Sequence, residues 1–350
     1  MIVTYIRSSS YSCHKLCENK YFIEYVLGWR GPSNKKADMG TIVHKVLEVV
    51  ALAKEAEQNN KKSFVDKEFL GRVKVNFSID NMIKKVYDYY TNAFKHHKWT
   101  SADFRFVTTS VMKIVNDKIF NPRNRIVVAA EKQFDFLIEE DWAHYKYELD
   151  GKILEGQLGL KGTVDLTLQM DNSDDYEIVD WKTGKRIDWG TGAEKNYEVL
   201  EKDFQLRLYH LVMHRLYPSI ENIFITIHYL NNGGPFTIQL GRSDIPDTME
   251  MIRKKFNEIK DTQIPKLKQE EKWFCKKICH FGKTTFEETN IKPLVQKKET
   301  YLTQPGETMT MCDQVHYSLK HRDMQSVIKN MSKEGHTVDY YHAPGSTDTK

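Results

Sequence analysis

The chain has 350 residues, 40% of them hydrophobic and 29% charged, with 52 basic against 48 acidic side chains and a formal net charge of +4. This length admits one large domain with insertions or two domains, the composition suits a packed core under a soluble surface, and so balanced a charge does not by itself indicate a nucleic-acid partner. No run of about 18 apolar residues occurs, which argues against a membrane span, and the start MIVTYIRSSSYS lacks the apolar stretch of a secretory signal.

In chain order, residues 31–38 (GPSNKKAD) read as a loop, and residues 40–58 (GTIVHKVLEVVALAKEAEQ) as an amphipathic helix opened by Gly40-Thr41 and ended by Asn59-Asn60. Residues 77–98 and 101–119 read as further helices carrying aromatics. Near residue 126 the apolar period shortens to two, the mark of strands. Strands are expected at 133–138, 145–149 and 152–158, with Asp150-Gly151 as a tight hairpin turn. Two more, 162–170 and 176–183, flank the polar loop DNSDD. Helical spacing returns at 203–217, followed by strands at 222–230 and 235–240 joined by Asn231-Asn232-Gly233-Gly234, and a helix at 245–261. From 263 onward the period is weak, and the terminal HAPGSTDTK reads as disordered. The order implies an α/β fold with a central mixed sheet flanked by helices, not a doubly wound one. It divides into a helical region 1–125, a core 126–262 and a cysteine-containing region 263–350.

The chemistry concentrates at Ile178-Val179-Asp180-Trp181-Lys182-Thr183-Gly184. On a strand, Asp180 and Lys182 share one face, roughly 7 Å apart, while Val179 and Trp181 take the other. A carboxylate that holds a divalent ion and an ammonium that orients water or steadies a phosphate suit phosphodiester hydrolysis. Asp165, in Gly162-Thr163-Val164-Asp165-Leu166, is the second carboxylate. A hairpin closing around 171–174 sets it opposite Asp180 at about 5 Å between Cβ atoms, whereas a five-residue loop shifts the register by one. His44 on the first long helix offers an imidazole to the same ion. Gln205 and Tyr209, four apart, share a helix face and offer an amide and a phenol to a phosphate or base.

This ordered set resembles the RecB-like exonuclease branch of the PD-(D/E)XK nucleases. That branch carries a Gly-x-x-x-His helix, a Gly-x-x-Asp strand, an Asp-x-Lys strand and a Gln-x-x-x-Tyr helix, matched here by Gly40/His44, Gly162/Asp165, Asp180/Lys182 and Gln205/Tyr209. The serine-rich start before Cys17 is similar to the family's opening, and Glu131 in AAEKQF resembles a glutamate often seen before its first strand. The resemblance spans roughly residues 8–280. It implies a restriction-endonuclease-like core and an Mg²⁺- or Mn²⁺-dependent deoxyribonuclease. His44, Asp165, Asp180 and the Trp181 carbonyl would hold the ion, Lys182 would serve the water, and Gln205 and Tyr209 would sit beside the scissile strand. DNA ends or single strands are the expected substrate, in recombination, repair, phage or CRISPR settings, sometimes with a helicase or recombination partner. A structure-specific endonuclease and a catalytically silent DNA-binding scaffold are the other readings; the intact Asp165, Asp180 and Lys182 argue against the last.

The five cysteines are Cys13, Cys17, Cys275, Cys279 and Cys312. In a chain read as intracellular and cytoplasmic they point to metal binding or burial, not to disulfides. Several RecB-like nucleases hold a [4Fe–4S] cluster with one N-terminal and three C-terminal cysteines. Cys17, Cys275, Cys279 and Cys312 resemble that set, although Cys312 stands farther off than the family places it, and Cys13 or His280 are substitutes. The spacing also allows a four-thiolate zinc site. Basic clusters at Lys35-Lys36, Lys84-Lys85, Lys95-His96-His97-Lys98 and Lys276-Lys277, with aromatics nearby, match the chemistry of single-strand grooves.

Overall fold

A computed structural model describes residues 1–149, 151–170, 175–187, 192–268, 272–285 and 309–336. β1 (Tyr5–Ile6), α1 (Ser8–Leu16) and α2 (Glu18–Tyr21) lead through one π-helical turn to α3 (Lys35–Gln58). A hairpin of β2 (Ser63–Asp66) and β3 (Gly71–Lys74) precedes α4 (Ile79–Ala93) and α5 (Ser101–Val115). The strands β4 (Ile126–Leu137), β5 (His144–Leu149), β6 (Lys152–Gln157), β7 (Gly159–Gln169) and β8 (Tyr176–Lys182) follow. Then come α6 (Tyr197–Leu200), α7 (Phe204–Leu216), β9 (Asn222–Tyr229), β10 (Gly234–Gly241) and α8 (Ile245–Asp261). Among the described residues the chain continues with α9 (Lys272–Lys277), α10 (Met311–His321) and α11 (Met324–Met331).

The fold is mixed α/β, with six strands in one mixed sheet. β7 and β8 are antiparallel, β8 and β9 parallel, β9 and β10 antiparallel; β1 runs parallel to the start of β7, and β4 also pairs with β7. The parallel β8–β9 step requires a crossover, and α7 supplies it. Two compact units form, each from separated stretches of sequence: residues 1–32, 134–162 and 249–350 in the first, 33–133 and 163–248 in the second.

The second unit has its own apolar core. α3 contributes Ile42, Val43, Val46 and Leu47, α4 and α5 contribute Ile83, Val86, Val107 and Val111, and β7 and β8 contribute Leu166, Leu168, Val179 and Trp181. Trp181 is fully buried there. In the first unit α2 lies against α10, and the Trp142 and Phe256 rings meet at 6.4 Å.

Several boundaries differ from the sequence reading. The stretch 31–38 is not all loop: α3 already begins at Lys35, because the Asn34 side chain accepts the Ala37 N–H at 2.9 Å and so caps the helix. Gly40-Thr41 therefore lies inside the helix. α5 stops at Val115, short of the expected 119, since the Asp117 carboxylate accepts the N–H groups of Ile119 and Phe120 and turns the chain. β4 starts seven residues before the expected 133, at Ile126. The β2–β3 hairpin was not expected, nor were α10 and α11 in the aperiodic region. The β5–β6 pairing Leu149↔Lys152 fits a two-residue turn, with Gly151 left-handed at φ 74°; Asp150 lies outside the described residues. Residues 171–174 of the DNSDD loop and the terminal HAPGSTDTK also lie outside them. Among the described residues no helix is long and apolar enough to cross a membrane.

Gly162, the glycine of the Gly-x-x-Asp strand, has a steric reason in the first unit. A Cβ there would lie 2.4 Å from Cζ of Phe134. Gly162→Ala should therefore cost about 1–3 kcal/mol of stability by overpacking. Denaturant unfolding should show the loss, and Phe134→Leu in the same chain should recover part of it.

Candidate active site

Pleating sorts the residues of β8. Val179 and Trp181 enter the apolar core, so Asp180 and Lys182 face the other way. The β7–β8 ladder pairs Leu166 with Val179, and one step further sets Asp165 across from Asp180. The open alternatives for this register thus resolve to the facing one. The ladder stops there because the Asp165 side chain takes over: its Oδ2 accepts the Trp181 N–H at 3.1 Å.

α3 brings the imidazole. A Cβ on Gly40 would lie 3.1 Å from Oγ1 of Thr183, so glycine lets the helix pass close to the end of β8. His44, one turn on along the same face, places Nε2 2.6 Å from the Trp181 carbonyl oxygen and Nδ1 3.3 Å from Oδ2 of Asp165. Its ring stands edge-on to the Trp181 indole, centroids 6.0 Å apart.

On the opposite side the N-cap Asp203 accepts the Gln205 N–H at 2.9 Å and starts α7. Lys182 Nζ lies 2.7 Å from Oδ2 of Asp180 and donates to Oε1 of Gln205 at 3.0 Å. Because an ammonium can only donate, this contact fixes the amide orientation. The Gln205 Nε2 group then donates to Oδ1 of Asp180 at 3.0 Å and to the Tyr209 hydroxyl at 2.6 Å. His44, Asp165, Asp180, Trp181, Lys182, Gln205 and Tyr209 thus fall in one connected constellation of the second unit, apart from the cysteines.

Glu131, expected only as a resemblance, joins them. It sits in β4 at φ 45°, a left-handed conformation costly for a side chain other than glycine. Its carboxylate, the His44 ring and Asp165 come within 4.8 Å of one another. They line a cleft of about 440 Å³ that also takes in Lys45, Glu48 and Glu68. The buried Lys45 ammonium bridges Asp66 at 2.6 Å, Glu68 at 3.0 Å and Glu48 at 3.1 Å. Glu48 was missed, though Gly40, His44 and Glu48 form a four-residue stripe that could have announced it. Lys45 and Glu68 carry no comparable signal, since their meeting depends on the unexpected β2–β3 hairpin.

Burial and mutual repulsion shift the carboxyls of the site. Burial, with the neighbouring Asp165 and Glu48 charges, pushes the Glu131 carboxyl up to about 8. Burial and the Asp180 charge push Asp165 up to about 6 against the pull of His44 and Lys182. Burial works to lower the Lys182 pKa, but the Asp180 and Asp165 charges outweigh it and hold the pKa above its ordinary value, so the side chain remains an ammonium. Burial raises the Tyr209 phenol well above its usual range. The Asp165 and Glu131 carboxylates with the His44 imidazole, and the Trp181 carbonyl beside that ring, are a mostly oxygen donor set of the kind Mg²⁺ and Mn²⁺ accept.

All five cysteines are free thiols of the first unit. Cys17 caps α2 and accepts the Lys20 N–H at 3.4 Å, and Cys312 on α10 lies 3.0 Å from Nδ2 of Asn19. Cys279 accepts the backbone N–H groups of Phe281 and Gly282. Burial raises the Cys275 thiol to about 11, and Cys279 and Cys17 add to the shift. Burial raises the Cys312 thiol well above its ordinary range, and the Cys17, Cys279 and Cys275 charges push the same way. Cys13 turns instead to Glu24, donating at 3.3 Å, and His280 to Thr284. Of the basic clusters, Lys84, Lys85, Lys276 and Lys277 are exposed, whereas Lys35 is engaged by Asp103 and the Lys98 carbonyl.

Among solved structures, a Eubacterium rectale protein provisionally named an exonuclease is 12% identical with a TM-score of 0.47, covering 85% of this chain and 90% of its own. A second, named SSO0001, is 14% identical with a TM-score of 0.24, covering 70% of this chain and 94% of its own. No curated protein matches. The family model of the PD-(D/E)XK nuclease superfamily matches residues 8–283. That match takes in every element that gathers His44, Asp165, Asp180, Lys182 and Gln205, and the chain belongs to the PD-(D/E)XK nuclease superfamily.

Proposed function

We propose that this nuclease is a divalent-metal-dependent deoxyribonuclease of the RecB-like branch, an exonuclease acting on DNA ends or single strands in recombination, repair or phage DNA metabolism. The observation that carries the reading is that the His44–Asp165 and Lys182–Asp180 contacts are joined by the Trp181 N–H, which donates to Asp165. His44, Asp165, Asp180 and the Trp181 carbonyl, with Glu131 beside them, would hold Mg²⁺ or Mn²⁺. The ion supplies Lewis acidity at the scissile phosphate when bound. Lys182, kept charged by its two aspartates, orients the attacking water and offsets charge that develops on the phosphate. Gln205 holds the Lys182 ammonium in place from α7, and Tyr209 sets the amide of Gln205 and faces the scissile strand. A helicase or recombination partner that delivers DNA ends fits the same reading.

Asp180→Ala and Lys182→Ala should each lower cleavage at least about 100-fold while DNA binding survives. The assay compares end-labelled linear DNA with covalently closed circles. Rapid release of label from linear DNA with circles intact supports an exonuclease. Cut circles would favour a structure-specific endonuclease, and cleavage by both variants at the native rate would remove the site assignment.

The raised carboxyls set a pH dependence. With Asp165 at about 6 and Glu131 at about 8, metal-free protein carries protons that an incoming cation must displace. Mn²⁺ affinity should rise from pH 6 to pH 8, by up to about tenfold per pH unit for each displaced proton. Because both folded-state pKa values lie above the ordinary ones, metal-free stability should fall as pH rises through them. Calorimetric titration in buffers of different ionisation enthalpy counts the released protons. Glu131→Gln should remove the upper part of the dependence; an unchanged count would contradict the role of Glu131.

Cys17, Cys275, Cys279 and Cys312 would hold a [4Fe–4S] cluster, and structural Zn²⁺ is the alternative. The N–H groups directed at the sulfurs of Cys17 and Cys279 support thiolate ligands. Protein purified anaerobically should be brown, with absorbance near roughly 400 nm. Colourless protein with stoichiometric zinc would decide for the alternative.

A further inference from the structure

Asp38, His96 and His97 make a second cluster in the unit that carries the nuclease residues. Asp38 is 3% exposed on the first turn of α3. His96 and His97 lie just beyond α4, where the His97 N–H donates to the Phe94 carbonyl at 3.1 Å and the Trp99 indole N–H to the same oxygen at 3.1 Å. This turn folds two consecutive imidazoles to one side, with ring centroids 3.9 Å apart. His97 Nε2 is 2.6 Å and His96 Nε2 3.9 Å from the same oxygen, Oδ2 of Asp38.

A histidine–aspartate hydrogen bond accounts for His97 alone. It leaves His96 beyond hydrogen-bond reach yet aimed at the same point. Ligand atoms about 2.0 Å from one tetrahedral ion are about 3.3 Å apart, and these three atoms all lie within 4.8 Å of one another. Their surroundings resemble the support that metal ligands receive. Ser33 donates to Oδ2 of Asp38 at 2.6 Å, the Trp99 ring stands edge-on to His97 at 5.6 Å, and the Phe94 ring edge-on to His96 at 6.3 Å.

We propose that Asp38, His96 and His97 form a separate site for a transition metal of the Zn²⁺ class, with its remaining position open to water or a further ligand. Two imidazoles and one carboxylate are borderline donors that favour Zn²⁺ over Mg²⁺. Asp38 precedes His44 by six residues, about 9 Å along the helix axis. That exceeds the roughly 4 Å of a paired catalytic centre, so the ion would not belong to the cleavage site. It would tie the turn after α4 to the first turn of α3, and so anchor the helix that presents His44.

The test uses the full-length chain, stripped with chelator and kept in excess Mg²⁺, with Zn²⁺ bound per chain measured by elemental analysis. His96→Ala is the mild variant, because that side chain is 44% exposed; Asp38→Asn is the second. Native protein should bind one more Zn²⁺ per chain than either variant, while unfolding midpoints without zinc agree between native protein and His96→Ala. Co²⁺ at this site should give ligand-field bands without the sulfur-to-cobalt charge transfer of a thiolate site. Equal zinc stoichiometry in native protein and the variants, or loss of only a sulfur-bound cobalt signal, overturns the proposal.

Discussion

Crowded negative charge governs the second unit. Asp180 has no exposed surface and Asp165 almost none, and Glu131 is held beside them. Buried carboxylates are costly unless opposed by positive charge and hydrogen bonds. Lys182 and His44 oppose them only in part, which is why Asp165 and Glu131 retain protons so far above the ordinary carboxylate range. Other features follow from keeping these groups together. Gly40 admits the helix, Glu131 accepts a left-handed backbone, and Gln205 ties ammonium to carboxylate across two elements.

The candidate site was legible in the sequence because it rests on short-range rules. The two-residue period of β8 puts Asp180 beside Lys182, and the four-residue spacing on α7 puts Gln205 beside Tyr209. The expected helix at 245–261 coincides with α8 for the same reason. What the sequence concealed was long-range. The acidic wall of the cleft needs Glu68, delivered by a hairpin of four-residue strands too short to show a period. Glu131 reaches the site through a backbone conformation that its residue type does not advertise. Gly40-Thr41 looks like a helix boundary in sequence, although Asn34 is the cap, accepting the Ala37 N–H in the first turn of α3.

The cysteines show the same division. The four-residue spacing of Cys275 and Cys279 is visible in the sequence, but which other thiols approach them depends on long-range packing such as that of α2 against α10. Cys13 has the same spacing to Cys17, yet its thiol is spent on Glu24. Spacing alone therefore proposes pairs, and the choice among them belongs to tertiary packing.

The interleaving of the two units bears on biosynthesis. Residues 33–133 and 163–248 make up one unit, while the other draws on residues 1–32, 134–162 and described residues from 249 onward. Compact units tend to fold as wholes while the chain emerges from the ribosome. The nuclease-bearing unit can therefore mature first, leaving the leading segment with Cys13 and Cys17 waiting for its distant partners. During that interval Ile6, Phe22 and Ile23, all fully buried in the finished protein, lack their final cover. Apolar surface left uncovered in that interval favours association with other chains, so a slow completion of the first unit is the step most open to aggregation.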